Sequence, residues 1–394
     1  MPDWRDISVW RRLAEAPEAQ VAAAAVDARD VASIARLRKR FEADLVSAAL
    51  ELAEGRRKAA AKFTQAATLW CDVAGVEQAS GERVAAWKAT RMAETLGAGG
   101  AMLDVCSGIG GDAMAMVRAG LGITAIDLDE RRTWMTGLNA GCESRAADAE
   151  SLELAGLALH ADPARRDERG GSRSWSLDDH RPGRAWIERA LREARAAAIK
   201  FSPGVDRRAF GDIAIEWEFI EDRGALVQAV AWSGAFARNA RATRATVLGA
   251  GPPETIVGAP DDARGDRISA AGEVRAGRFI SEPCAALERA MLLTEASRGR
   301  AAEIVRGAGL LVSDAPLVAP WFESFTIIEE CAVRAEAIAE VLARHALAAR
   351  SVRVRGRAGE ADTMTKALGT RPDGNAVVFI FRRGERPTAI VARA

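Results

Sequence analysis

Apolar positions change their spacing along the chain, and the changes divide it into regions. Through residues 1–95 they recur at three- and four-residue steps. Val31, Ile34, Leu37, Phe41, Leu45, Ala48 and Leu52 follow Asp30, a residue type suited to an N-cap. The spacing predicts one long amphipathic helix inside a helical N-terminal region. From 96 to 250 the apolar residues form short runs separated by helical stretches. The runs at 101–106, 122–127, 157–162 and 197–201 read as buried parallel strands, with a weak edge strand near 146–148. Helices are expected at 112–119, closed by Gly120, and at 130–140 and 185–194. Closing strands follow at 213–219, 226–232 and 243–248; the Asp222-Arg-Gly224 link is too short for a crossover, so at least one pair is antiparallel. Such alternation predicts an α/β fold built on a doubly wound, Rossmann-like sheet. Residues 251–269, rich in Gly and Pro, read as a linker, and 270–394 as a smaller α/β domain with helices near 284–293 and 332–348.

The sheet region carries one concentrated signal, Asp104-Val-Cys-Ser-Gly108-Ile-Gly110-Gly111-Asp112, between the first strand and its helix. Glycines let the backbone turn sharply and approach a ligand without a Cβ in the way. Asp127, at the end of the second strand, is placed to accept hydrogen bonds from two ribose hydroxyls. The same glycines satisfy the loose dinucleotide fingerprint, with Asp127 about 20 residues on. The flanking carboxylates Asp104 and Asp112 favour S-adenosylmethionine (SAM): a pyrophosphate prefers a helix N-terminus without competing carboxylates, whereas a sulfonium with a free ammonium group tolerates them. A nicotinamide oxidoreductase is the alternative left by the fingerprint.

This series, with Ala125-Ile-Asp-Leu-Asp129, Asn139-Ala140, Ala147-Asp148-Ala149 and Ala161-Asp-Pro-Ala-Arg-Arg166, resembles the class I SAM-dependent methyltransferases. More narrowly it is similar to a bacterial branch with a C-terminal THUMP-like domain, distantly similar to trimethylguanosine synthase, an RNA cap guanine-N2 methyltransferase. Glu77-Gln-Ala-Ser-Gly-Glu-Arg-Val-Ala-Ala-Trp-Lys88 and Ile199-Lys-Phe-Ser-Pro-Gly-Val-Asp206 also look like that branch. The resemblance implies that Gly108, Gly110 and Gly111 face the cofactor's homocysteine part, with Asp104 near its ammonium, and that Asp112 belongs to the same cofactor turn. It places Asp127 on the ribose and Asp148 by the adenine, although Asp148 also suits a helix cap. Leu128 either packs on the adenine or enters the core.

Asp162 and Pro163 occupy the position where similar amino-methylating enzymes hold the target amine. Ala164 and Arg165 stand where those enzymes have a second proline and an aromatic ring. Arg165 and Arg166 point toward an anionic substrate or to salt bridges with nearby acids such as Asp167 or Asp178; Lys200 and Ser202 border the same pocket. His160 reads as an ordinary strand residue; Trp175 and Trp186 are both candidates for a base platform, with buried packing the favoured role of Trp186.

With 394 residues, 49% of them hydrophobic, the chain can bury a sizeable core. No run nears the ~20 apolar residues of a membrane span, and the first residues lack a secretory layout, so a cytoplasmic protein is expected. Five scattered cysteines and three histidines suggest neither disulfides nor a metal site. The total charge cancels, 55 basic against 55 acidic residues. From Arg344 onward, however, eleven Arg or Lys face four acids, and this stretch could meet a phosphate backbone, as could Arg36, Lys39, Arg40, Arg56, Arg57 and Lys58 of the N-terminal region. The expectation is a SAM-dependent methyltransferase acting on RNA by base N-methylation, with guanine N2 favoured. Protein or small-molecule methylation, or a nucleic-acid-binding protein keeping SAM as a structural ligand, are the alternatives.

Overall fold

The structure, a computed structural model, describes residues 3–27, 30–165, 180–264, 273–305, 308–356 and 361–394. Arg166, Asp167, Trp175 and Asp178 lie outside the described residues. The chain divides into two compact units, residues 1–217 with 228–241 and residues 218–227 with 242–394.

The first unit opens with helices α1 (Ile7–Ala14), α2 (Pro17–Ala24), α3 (Val31–Leu37), α4 (Ala43–Ala59), α5 (Val73–Gln78) and α6 (Glu82–Leu96). Asp30 caps α3 by accepting from the amides of Ala32 and Ser33. The single long helix expected from the spacing is instead two, broken at 38–42, where Glu42 is extended. Arg12 of α1 pairs with both Glu42 and Asp44, fixing the chain where the helix stops and α4 begins. The apolar spacing survives the break because Leu37, Leu45, Ala48 and Leu52 all enter one core. That core also takes in Ile109, Met114 and Met135, so these helices pack on the glycine turn and the helices beside it. Each large side chain buried this way contributes about 1.5–3 kcal/mol.

The sheet of this unit uses β1 (Ala101–Val105), β2 (Gly122–Asp127), β3 (Glu143–Ala146), β4 (Ala158–Ala161), β7 (Ala196–Phe201) and most of β9 (Ala225–Gly234); β5 (Ala164–Arg165) and β6 (His180–Arg181) form a separate two-stranded pair, and β8 (Glu216–Asp222) falls mostly in the second unit. Helices α7 (Gly111–Arg118), α8 (Glu130–Ala140) and α9 (Arg184–Glu193) connect them. Its neighbours run β3-β2-β1-β4-β7-β9, parallel except for the last pair. The chain walks outward from β1 to β3 and then returns past β1 to β4. The order therefore reverses there, and the carboxyl ends of β1 and β4 flank the crevice in which such sheets bind ligands. Every residue of β4 is buried, and all but Lys200 of β7, which is why they read as continuous apolar runs.

A buried ion pair braces the far side of this unit. Arg91 of α6 donates to Glu216 and to the Phe236 carbonyl, with its guanidinium 4.4 Å from the Trp232 ring centroid. Glu216 also accepts from the amides of Arg238 and Asn239.

In the second unit, Arg223 and Gly224 both have positive φ, the conformation of a two-residue hairpin turn. Strand β10 (Thr243–Leu248) pairs antiparallel with β11 (Glu254–Gly258). The stretch expected as a linker therefore contains a strand: Gly and Pro flank a short β-branched run, Thr255-Ile-Val257, which pairs with β10. Strands β12 (Phe279–Pro283), β13 (Ala301–Glu303), β14 (Leu311–Ser313), β15 (Phe322–Ala332), β16 (Ala349–Val354), β17 (Ala376–Arg383) and β18 (Arg386–Arg393) form a second sheet in the order β13-β14-β12-β15-β18-β17-β16. Phe325, Phe379 and Phe381 fill its core. Among the described residues, no helix is long and apolar enough to cross a membrane.

Removing Glu216 would leave the Arg91 guanidinium buried without its carboxylate and two amides without an acceptor. Glu216→Ala should destabilise the protein by about 3–5 kcal/mol, read as a lower midpoint in denaturant unfolding followed by circular dichroism. An unchanged midpoint would refute the bracing role.

Candidate cofactor and acceptor site

The turn after β1 is held from three sides. The Ser107 amide donates to the Ile126 carbonyl, the Gly108 amide to Asp127 Oδ2 at 2.9 Å, and Thr136 Oγ1 of α8 to the Gly108 carbonyl at 2.9 Å. Asn139 then ties the turn to the helical region. Its Nδ2 donates to the carbonyls of Ile109 and Trp70, and its Oδ1 accepts from the Trp70 amide, each at 2.8 Å. The glycines serve different purposes. Gly110 has φ 85°, and a Cβ there would lie 3.1 Å from Thr136 Cγ2, so it allows α7 and α8 to approach. Gly108 has φ 57°, but a Cβ there would meet nothing within 4 Å. Its surface is open, as a ligand cradle requires. Gly111 passes close to the Ser80 carbonyl. Asp127, at the end of β2, also accepts from the Asp129 amide at 3.1 Å. Next to it Leu128 is 50% exposed rather than in the core.

Behind the turn lies a buried polar network absent from the sequence reading. Register pairs Asp104 of β1 with His160 of β4, so the two side chains share a face, and His160 Nδ1 sits 2.7 Å from Asp104 Oδ1. On the other side of the ring, Nε2 is 3.1 Å from Lys88 Nζ. Lys88 itself forms an ion pair with Asp112 at 2.7 Å, and Ser80 Oγ donates to Asp112 Oδ2 at 2.9 Å. A lysine ammonium can only donate, so Nε2 must accept and the ring proton belongs on Nδ1, facing Asp104. Lys88, His160 and Asp104 are each 1% exposed. Burial pushes the Asp104 carboxyl up, more than His160 draws it down. For Asp112 burial acts the same way, but Lys88, His160 and Lys200 outweigh it and hold that carboxyl well below its ordinary range.

Asp112 therefore spends its carboxylate on Lys88 and Ser80, not on an open cleft. Ser80 and Lys88 both belong to the Glu77–Lys88 segment singled out in the sequence, which was given no role there. Asp104 Oδ2 and Ser107 Oγ are buried without a hydrogen-bond partner among the described residues.

On the acceptor side, Asp162 follows β4 with its amide bonded to the Val105 carbonyl, and Lys200 Nζ of β7 lies 2.6 Å from Asp162 Oδ2 and 3.2 Å from the Gln78 carbonyl. Burial lowers the Lys200 pKa, but Asp162 and Asp112 raise it further, so this ammonium stays charged and does not serve as a base. Pro163 is buried and Ala164 exposed, while the backbone of Arg165 pairs with His180 in the short β5–β6 ladder. Ser202 is partly exposed just beyond β7. Asp148 caps a single 3₁₀ turn by accepting from the Glu150 amide. Trp186 is buried. Cys106 stands between β1 and the turn with φ 58°; burial, then Asp127 and Asp162, raises its thiol well above the ordinary range, so it offers no thiolate nucleophile.

The basic C-terminal stretch is also changed by the second unit's own structure. Arg344 pairs with Glu329, Arg350 with Glu323, Arg353 with Glu282 and Glu323, Arg355 with Glu282 and Glu288, and Arg383 with Glu330. Five of the eleven basic residues thus meet glutamates that precede the counted stretch. The local charge excess is correspondingly smaller.

The residues of the rim fit SAM. Three carboxyls, Asp104, Asp127 and Asp162, stand against one ammonium group, Lys200, while Asp112 and Lys88 neutralise each other behind the turn, an environment suited to a cation and poor for a pyrophosphate. The open face of Gly108, the exposed Leu128 and the orphaned Asp104 oxygen supply space, an apolar surface and an unmet acceptor.

No protein-family model matches the chain. Two Mycobacterium tuberculosis proteins, from strains CDC 1551 and H37Rv, are each named an uncharacterized S-adenosylmethionine-dependent methyltransferase. Each is 27% identical over 317 residues, 78% of this chain and 83% of the relative. Among solved structures, a candidate methyltransferase from Porphyromonas gingivalis W83 superposes with a TM-score of 0.72 at 14% identity, over 93% of this chain and 99% of its own. With this sheet order, this rim and these relatives, the chain is an enzyme of the class I SAM-dependent methyltransferase fold.

Proposed function

We propose that the chain binds SAM on the β1–β2 rim and transfers its methyl group to an amine nitrogen of an RNA base, guanine N2 being the favoured acceptor. Bound SAM supplies an electrophilic methyl group on a sulfonium. The protein's task is then alignment, with charge and proton handling second. Asp127 takes the ribose hydroxyls, Gly108 lets the backbone lie against the ligand, and Asp104 faces the amino-acid end. Leu128 offers an apolar surface to the adenine, and Asp148, whose carboxylate already caps a turn, stands by the base.

The observation that carries the acceptor assignment is Asp162 at the end of β4, beside the topological switch and held by Lys200. Lys200 fixes one carboxylate oxygen, which orients the group to accept a hydrogen from the target amine and to draw its proton as the new N–C bond forms. Pro163 stiffens the backbone there, and the arginines that follow it in sequence, Arg165 and Arg166, are the residue type an anionic part of the acceptor calls for. The RNA part of the reading is supported by this Asp-Pro position and by the basic residues outside the glutamate pairs. The pairing of the C-terminal arginines favours the second reading, a protein or small-molecule amine as acceptor.

Labelled SAM incubated with total RNA or with protein extract, followed by nucleoside identification, distinguishes these readings. Label in N2-methylguanosine is expected, and label confined to protein would overturn the RNA assignment. Asp127→Ala should weaken S-adenosylhomocysteine binding about tenfold or more in calorimetry. Asp162→Ala should spare that binding and lower kcat about a hundredfold to a thousandfold; equal loss of binding in both variants would refute the division of roles. Gly108→Ala, which projects a methyl group into open space at a left-handed residue, should cost about 1–2 kcal/mol of stability and weaken ligand binding. Affinity equal to wild type would show that the turn does not touch the ligand.

A further inference from the structure

The network behind the turn contains more buried charge than a cofactor cradle needs. Lys88 and His160 touch neither the open face of Gly108 nor the Asp162–Lys200 pair in any described contact. Their arrangement is nonetheless directional: Lys88 faces Nε2 of the ring, the ring donates from Nδ1 to Asp104 Oδ1, and Asp104 Oδ2 has no partner among the described residues. A buried carboxylate oxygen left unpaired is costly, and a cationic N–H group is the partner that relieves it best.

We infer that Lys88 and His160 are positioning residues that fix the tautomer and the rotamer of this relay, so that Asp104 Oδ2 is presented to the ammonium of the cofactor's amino-acid end. This rests on the SAM reading above and deepens it. Asp112 completes the device by neutralising Lys88, whose three N–H groups allow it to pair with that carboxylate and still donate to the ring. Asp104 without the ring's N–H would be free to rotate about its χ2, and the site would keep its grip on adenosine while losing its grip on the amino-acid end.

The test compares two ligands that share adenosine and a thioether. S-adenosylhomocysteine carries the amino-acid end, and 5′-deoxy-5′-methylthioadenosine lacks it. In calorimetry, His160→Leu should weaken S-adenosylhomocysteine about tenfold to a hundredfold while changing methylthioadenosine by less than about threefold. His160→Asn, whose amide N–H can replace the Nδ1–H, should restore much of the difference. Equal loss for both ligands in His160→Leu would overturn the inference. Absence of binding of both ligands to wild type would overturn the SAM reading itself, and this inference with it.

A measurement on the wild-type protein avoids any dependence on how the variants fold. The chain has three histidines, so the imidazole nitrogens of His160 can be followed by long-range ¹H–¹⁵N correlation. The neutral Nδ1–H tautomer is expected, with shifts that move on adding S-adenosylhomocysteine and stay in place with methylthioadenosine. The opposite tautomer, or the same movement with both ligands, would refute the relay.

Discussion

A lysine ammonium sealed inside the protein governs the architecture around the site. Lys88 leaves water almost completely, and among the described residues Asp112, Ser80 and the imidazole of His160 compensate for that. Removing any one of them would expose the desolvation cost of the others. Because Lys88 sits on α6 and its partners on α7, β4 and the segment before α6, one ammonium group fixes four pieces of chain against each other. The glycine turn is the piece between Asp104 and Asp112, and so both of its ends are pinned by this cluster.

The same turn is secured on its outer side by quite different means. Asn139 satisfies backbone groups of Trp70 and Ile109 at once, and Ile109 is buried in the core of the N-terminal helices. Asp72 adds two guanidinium contacts, from Arg131 and Arg132 of α8. The helical region is thus a brace for the turn and for α8, whose first residues follow the end of β2. Three of its basic residues have partners within it: Arg56 donates to the Leu69 carbonyl and lies over Trp70, Arg57 pairs with Glu54, and Lys58 pairs with Glu77.

Charge read along a sequence and charge in a folded unit can differ for a simple reason. The C-terminal stretch has a surplus of arginine because its glutamate partners come from strands and helices earlier in the same unit, on β12, β15 and the helix at Ala285–Ala290. Arg353 also lies 4.9 Å from the Phe325 ring centroid, where its guanidinium packs as well as pairs. Side chains of this kind help to hold a sheet together.

Local chemistry was legible in the sequence alone. Short apolar runs gave the parallel strands within a residue or two, Glu130–Ala140 emerged at its predicted bounds, and the glycines with Asp104 and Asp127 marked the rim. Asp30 announced its cap, but the break between α3 and α4 did not show, because helical spacing carries no information about a distant Arg12. Likewise a five-residue strand hid among Gly and Pro at 254–258 until β10 was there to pair with it. What only tertiary structure decided was register and partnership. His160 looked like any strand residue until β4 aligned it with Asp104, and Asp112 looked like a ligand-facing acid until Lys88 claimed it. Periodicity and turn chemistry act between neighbours in sequence, whereas the pairing of buried charges depends on which strands and helices meet, and that is settled by folding of the whole unit.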